Sequence, residues 1–389
     1  MDRPRVKSAI DWESQGSVVL LNPHLPEQER QALTELSQKF ARAGHIWIAS
    51  SGSSQKQGES LKLIALSKNA FLCAAKAANE HVQATSKDVW VRSLPRFHVG
   101  GLSIELRASL SNARVVESSA TWNPHEYMKI MHEQGGTLSA LVPTQVHDLL
   151  ENKLHPPPAL RAIIVGGAAL APEVSLRARE QGWPLLPSYG LTECCSQVAT
   201  AELGSDDSRL RVLNHCEVRL DSEAGFLQIR SRSLLTGFAQ KIGEDFIWQE
   251  PAQSGWYTTA DHVEIEREGR ASFLTPLGRH SDFVKINGEG VNLSKLRDLL
   301  TKTINTVLPS AHFELALLDL NHARKGAELV LVCSQKFQAN AHIPQIHQNF
   351  NDQVSSIEKI QRVIFVDKIP RSALGKIQWD FLRRLSSMI

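Results

Sequence analysis

Ser51-Gly52-Ser53-Ser54 follows an apolar run directly, and such a turn can turn successive backbone N–H groups and hydroxyls toward a phosphate. The same residues also make a plain flexible loop. They are not a Walker-type loop: five residues rather than four separate Gly52 from Gly58, and Glu59 stands where a lysine is required. The next lysine that enters a strand is Lys62. Further on, Tyr189-Gly190-Leu191-Thr192-Glu193 sets a ring, a turn glycine, a hydroxyl and a carboxylate within five residues. That set can stack a base, contact a phosphate oxygen and hold Mg2+, or be a turn with a polar tip. Ser196 and Gln197 come just after it. His98 lies beside Gly100-Gly101 on a loop that lets a ligand approach closely, although a lone histidine is equally a structural residue. Gly166-Gly167-Ala168 ends an apolar run as a small-residue turn. Asp261 can accept from a ribose diol or serve as a turn residue. Gly278-Arg279-His280-Ser281, the stretch from Lys285 to Gly288, and the loop from Pro370 to Lys376 complete the set; a surface lysine is ordinarily solvated and inert. No Cys/His set has zinc spacing, and no Gly-x-Ser-x-Gly elbow occurs.

Elements must hold these residues, and the apolar pattern says which. Segments 18–21, 45–48, 63–66 and 162–165 read as buried strands. Leu33, Leu36 and Phe40 recur at helical spacing over 26–44, a stretch that closes on Gly44. Asn123-Pro124 begins a helix as cap and first-turn proline, Gly135 ends it, and Pro172 opens another that runs to Gly182. Strands alternating with helices predict an α/β architecture with a largely parallel sheet. From 225 to 273 the segments shorten and alternate, as at 226–230 and 262–266, which predicts antiparallel structure. Beyond 279 a helix at 294–304, strands at 329–333 and 363–366, and a terminal helix suffice for a small α+β domain. The domains are expected at 1–277 and 278–389.

Composition excludes several classes. The 389 residues suit two or three domains at roughly 100–200 residues each. With 42% apolar and 22% charged residues the chain is neither disordered nor fibrous. Lys+Arg number 43 against 41 Asp+Glu, so no excess of cations argues for nucleic acid. No apolar run approaches the roughly 18–20 residues of a membrane span, and Met1 to Arg5 lacks the apolar core of a secretory signal. Five cysteines, an odd number with Cys194 and Cys195 adjacent, do not suit a disulfide framework, and a reduced cytoplasmic location is expected. Oligomeric state is not legible.

Taken in order, the seven segments resemble the acyl-adenylate-forming ligases, the family of acyl-CoA synthetases, luciferases and adenylation domains, over about residues 45–380. Within it, Leu94 to Leu102 and Ser196-Gln197 are similar to the branch that acts on 2-succinylbenzoate in menaquinone biosynthesis. The resemblance implies a large N-terminal domain with α/β sheets and a β-rich subdomain, followed by a small mobile α+β lid. It implies ATP, Mg2+ and CoA as co-substrates and a small carboxylic acid as substrate, first joined to AMP and then passed to the thiol. Residue by residue, it implies that Ser51, Gly52, Ser53, Ser54 and Lys62 meet the ATP phosphates. Gly166, Gly167, Ala168, Tyr189 and Gly190 line the adenine site, with Asp261 and Arg279 on the ribose. Thr192 contacts the α-phosphate, Glu193 holds Mg2+, and Lys376 bridges carboxylate and α-phosphate. His98, Ser196 and Gln197 fall to the acid, Lys285 and Gly288 to the face used in the thiol step, and Ser281 to the hinge. Gln55, Ala260 and Ser281 depart from the family pattern, as a non-catalytic nucleotide-binding relative would; Lys376, Glu193 and Asp261 are retained. A ligase for another aryl or fatty acid, or one that stops at the adenylate, shares the same motifs.

Overall fold

Strands Leu138–Leu141 and Ala162–Val165 are buried at every position, so neither face can carry an unpaired polar group: Ala162–Val165 is a continuous apolar run, and Ser139, the one polar residue of the other strand, donates from Oγ to Val91 O at 2.7 Å. A computed structural model, which describes residues 10–49, 61–119, 121–205, 209–243, 245–287, 289–308, 314–322, 324–372 and 375–388, pairs these two in parallel. Val89–Arg92 extends the parallel set on one side and Leu185–Leu191 on the other, and Arg114–Glu117 lies beyond Val89–Arg92. The connections are helices: Val99–Ser111, Pro124–Gln134, Pro143–Glu151 and Pro172–Glu180. Three of them open on proline, whose missing N–H is one the first turn leaves unpaired anyway. Asn123 Oδ1 accepts from the Glu126 N–H at 3.0 Å, and Gly135 ends that helix at φ 64°, as the sequence suggested.

The sheet then departs from the expected parallel pattern. Ser196–Thr200 and Leu210–Val212 add to it antiparallel, followed by Ala271–Arg279, Tyr257–Glu268, Phe226–Ser231 and Cys216–Leu220, for eleven strands among the described residues. The first apolar runs do not join this sheet at all. Val18–Leu20, His45–Ala49 and Leu61–Ser67 form a second sheet with Gly237–Ile242 and Asp245–Gln249. Between Val18–Leu20 and His45–Ala49, the helix Glu27–Lys39 stops short of Gly44, which instead takes φ 67° to turn the chain into the next strand.

Helix Val99–Ser111 lies between the two sheets. Leu102 and Leu106 pack with Ile46, Ile48, Ile64 and Phe71, whereas Ile104 and Ala108 pack with Trp90, Leu138 and Ala162. Residues 101–108 are all buried, the condition of a helix surrounded by core. At roughly 1.5–3 kcal/mol for each buried Leu or Ile, three such residues alone weigh as much as the net stability of a domain.

The chain divides into two compact units: the described residues up to 259 with 263–276, and residues 260–262 with those from 277 onward. The second unit is a sheet of Leu315–His322, Gly326–Ser334 and Ile360–Val366 covered on both faces. Helices Leu293–Val307 and His342–Asn351 bury Leu296, Leu300, Ile346 and Phe350 on one face; Trp379–Ser387 buries Leu382 on the other. A short hairpin, Phe283–Ile286 with Glu289–Asn292, precedes them. No helix among the described residues is long and apolar enough to cross a membrane.

Candidate active site

Loops at the carboxyl ends of parallel strands are where an open α/β sheet gathers ligand contacts, and the first unit puts its candidates there. Leu185–Leu191 delivers Tyr189 and Gly190 and runs into a 3-10 turn, Thr192–Cys194, that carries Thr192 and Glu193. The chain reverses through Cys195 at φ 55° and Ser196 at φ 115°, both in the left-handed half of conformational space. The reversal folds back so closely that a Cβ on residue 190 would lie 2.0 Å from the Ser196 carbonyl oxygen. Only glycine fits there. On the neighbouring strand, Gly166 donates its N–H to Leu141 O at 3.1 Å, and a Cβ on it would come within 3.8 Å of Ser188 O; Gly167 follows at φ 89°. The small-residue turn at 166–168 therefore borders the segment of Tyr189.

Lys62 enters from the other sheet. Its strand, Leu61–Ser67, pairs with Gly237–Ile242, and its Nζ lies 3.7 Å from the centre of the Phe238 ring. Burial lowers the Lys62 pKa, and the nearby Glu193 carboxylate opposes that shift. Strand Leu61–Ser67 packs against the turn Thr192–Cys194, so the cation and the carboxylate expected to face a nucleotide's phosphates lie on neighbouring elements. Glu193 alone among the described residues is a sufficient protein contribution for Mg2+ carried in on a nucleotide, since that ion keeps waters and phosphate oxygens as its other ligands.

His98 stands at the start of helix Val99–Ser111, the residue after the loop from Val89–Arg92. Ser103, on the same helix, donates from Oγ to Val99 O at 2.6 Å and lies 3.3 Å from Cys195 O, so the helix packs against the reversal after Glu193. Gln197 is 3% exposed; its Nε2 donates to Thr200 Oγ1 at 2.6 Å, and its Oε1 has no partner among the described residues. Two open clefts, of ≈ 450 and ≈ 680 Å³, share Leu203, Gly204 and Ser205 and are lined by none of the candidates.

The second unit gathers its own group. Asp261 lies within a long strand, Tyr257–Glu268, not in a turn, and its carboxylate is 3.3 Å from Arg279 Nε. Lys376 follows Gly375, at φ 73°, in a small loop closed by the bridge between Arg371 and Ile377 and by Ser372 N–H to Lys376 O at 2.7 Å. Burial lowers the Lys376 pKa, and Arg279 lowers it further. Ser281 sits in the 3-10 turn His280–Asp282, where Asp282 accepts from Arg279 N–H at 3.0 Å and from Arg297 Nη1 at 2.6 Å. Lys285 is exposed on its hairpin. Ser51–Ser54 and Gly288 lie outside the described residues.

Sequence reasoning missed Arg107. It is 2% exposed near the end of helix Val99–Ser111, and its Nε has no acceptor among the described residues. Burial pulls its pKa well down from the usual guanidinium range, to about 10, and no carboxylate among the described residues opposes this. It also depresses His215, which burial has already brought low, to about 4. The one signal in the sequence is a charged residue in a helix that is otherwise small and apolar from Val99 to Leu106 except at Glu105.

Comparison with known proteins bears out the resemblance. Residues 60–228 match the family of AMP-binding enzymes. A 2-succinylbenzoate–CoA ligase of Enterococcus faecalis is 22% identical over 328 residues, covering 79% of this chain and 63% of the relative. An indoleacetate–CoA ligase of Aromatoleum aromaticum is 22% identical over 319 residues, covering 78% of this chain and 60% of the relative. The chain thus spans less than two thirds of the length of these curated relatives. The solved o-succinylbenzoate CoA synthetase of Bacillus subtilis, in complex with an acyl-adenylate intermediate, superposes with a TM-score of 0.78 at 19% identity, over 94% of this chain and 83% of that one. The chain has the fold of these enzymes.

Proposed function

We propose that this chain is an AMP-forming acid–thiol ligase that converts 2-succinylbenzoate to its CoA thioester, with ATP, Mg2+ and CoA as co-substrates. The observation that carries the reading is the packing of strand Leu61–Ser67, which bears Lys62, against the turn Thr192–Cys194, which bears Glu193. In the first step the acid's carboxylate attacks the α-phosphorus in line and pyrophosphate leaves. Negative charge builds on the phosphates, so the protein's work is positioning and charge stabilisation. Lys62 meets the departing phosphates, Glu193 would hold an Mg2+ whose charge would offset theirs, and Thr192 contacts the α-phosphate. Tyr189 and the turn Gly166–Ala168 border the base, Asp261 and Arg279 the ribose. Lys376 supplies the charge between carboxylate and α-phosphate during adenylation. In the second step the CoA thiolate attacks the acyl carbon and AMP leaves, a far better leaving group than hydroxide; the exposed Lys285 belongs to this step.

The substrate assignment rests on Arg107. A buried guanidinium with no carboxylate partner among the described residues fits an acid that carries a second carboxylate, because an unpaired charge inside a protein costs several kcal/mol until it is matched. His98, at the head of the same helix, and Gln197, whose amide oxygen has no partner among the described residues, are assigned to the acid as well. A cytoplasmic location, consistent with five unpaired thiols, belongs to the same proposal. The test is acid-dependent pyrophosphate release followed by thioester formation, screened over 2-succinylbenzoate, indoleacetate and fatty acids. A higher kcat/KM for a monoacid would overturn the substrate assignment, and no release with any acid would overturn the ligase.

A further inference from the structure

The loop that carries His98 is pinned by a buried ionic cluster with no part in the chemistry above. Glu105, 8% exposed inside helix Val99–Ser111, accepts from two arginines at once. One is Arg92, the last residue of its strand. The other is Arg96, in the loop itself, whose guanidinium forks onto both carboxylate oxygens, with Nη2 to Oε2 at 3.0 Å. Arg92 also pairs with Glu117, its register partner on the adjacent parallel strand. Arg92 is therefore neutralised without Glu105, and the carboxylate at 105 is needed by Arg96.

A second feature presses on the same residues. A Cβ on Gly101 would lie 2.3 Å from Pro95 O and 2.4 Å from Leu94 O, so the loop rests directly on the backbone of the helix's first turn. Glu105 stands four residues beyond Gly101, on the same face one turn further along. His98 N–H donates to Pro95 O at 3.2 Å, and Leu102 N–H returns to His98 O at 2.9 Å. The absent side chain at 101 and the charge pair at 105 thus hold one short segment, 95–98, from two points. Stability is a poor reason for such a cluster, since apolar residues of similar volume replace buried ion pairs with neutral or favourable effect. A fixed direction for the residue after the clamp is a better one.

We infer that Glu105 is a positioning residue, and that its clamp on Arg96 sets the place of His98 against the acid. The inference rests on the proposed role of His98, but the clamp itself can be tested without it. Arg96→Met removes the loop's half and leaves Glu105 paired with Arg92, so the fold survives. Amide exchange over 96–101 should quicken by about 10-fold or more, with the strands at 89–92 and 138–141 unchanged. KM for the acid should rise by about 10-fold while kcat and KM for ATP stay within about twofold. Arg96→Lys should recover part of the loss, because it restores the charge but not the fork. Glu105→Gln should show the same pattern as Arg96→Met, and the double variant should be no worse than the worse single one. Unchanged exchange at 96–101, an equal rise in KM for ATP, or additive losses would overturn the clamp. Failure of the wild-type protein to release pyrophosphate with any acid would overturn the functional reading instead, and the exchange measurement would still decide the clamp.

Discussion

Arg107→Met should leave the free protein at least as stable while cutting kcat/KM for a dicarboxylic acid by about 100-fold, about 2.7 kcal/mol. Two signs are predicted from one buried charge. In the free protein the guanidinium is enclosed, and burial takes its pKa well below the usual guanidinium range, to about 10. At about 1.4 kcal/mol per tenfold in proton affinity, keeping it charged at neutral pH costs on the order of 3 kcal/mol of stability. The folded pKa lies below the unfolded one, so this cost is present at every pH below about 10 and lifts only above it. Methionine has a comparable length and adapts to irregular packing, so the charge is removed without a large cavity.

The gain in the free protein becomes a loss in the complex. A second carboxylate brought to Arg107 finds a cation already stripped of water, and pairs of that kind cost 2–5 kcal/mol when one partner is taken away. The assay is initial-rate pyrophosphate release with 2-succinylbenzoate and with a monoacid of similar ring size, beside a urea titration of each variant. The monoacid should change by less than about threefold, because it has no second charge to lose. Equal losses with both acids, or a urea midpoint clearly below wild type, would show that Arg107 supports the helix rather than the substrate.

His215, neutral in the folded protein down to about pH 4, should make stability fall as pH drops from about 6.5 toward 4, by about 3 kcal/mol at most. His215→Gln should flatten that slope in urea titrations at pH 7, 6 and 5, and an unchanged slope would refute the assignment. Gly190→Ala drives a Cβ into the Ser196 carbonyl, so a loss of about 2 kcal/mol or more in stability is expected; a variant with wild-type stability and activity would contradict the geometry. Lys376→Ala should lower pyrophosphate release by about 100-fold and leave thioester formation from synthetic acyl-adenylate nearly intact. If both steps fell together, Lys376 would not belong to adenylation alone. Ser281→Pro, in the turn His280–Asp282, should depress one half-reaction far more than the other because proline fixes φ near −65°. Equal loss in both would exclude a hinge there.

The residues that touch the nucleotide in this reading were legible because their backbone demands are local. Gly190 is written by a reversal that leaves no room for Cβ, and Gly167 and Gly375 by positive φ; such needs leave glycines at fixed offsets from the side chains they serve. Strand 162–165 was legible for a similar reason, burial on both faces. Other features depended on neighbours that a single strand or helix does not reveal. The early strands at 18–20, 45–49 and 61–67 carry the same apolar pattern as the parallel ones but belong to another sheet. Gly44 marks the end of a turn and not of a helix. Asp261 reads as a turn residue beside Ala260, yet the chain runs straight through it.

Arg107 and Glu105 were hidden for a further reason. A helix requires little of its sequence beyond propensity and an apolar face, and charges on it ordinarily point to water. Helix Val99–Ser111 has no such face, because a sheet packs on either side of it. Each polar group of its buried stretch, 101–108, is therefore directed somewhere specific in the interior. Ser103 lies against the carbonyl beside the Glu193 turn, Glu105 holds the loop of His98, and Arg107 has no carboxylate partner among the described residues. In this reading one rigid element links the reversal after Glu193 to the residues that meet the acid. Substitutions along it should accordingly change which acid is accepted before they change how ATP is bound. Nucleotide chemistry can then remain constant on the strand-end loops while the acid is exchanged through this helix, which is where the 2-succinylbenzoate and indoleacetate ligases this chain resembles would be expected to differ.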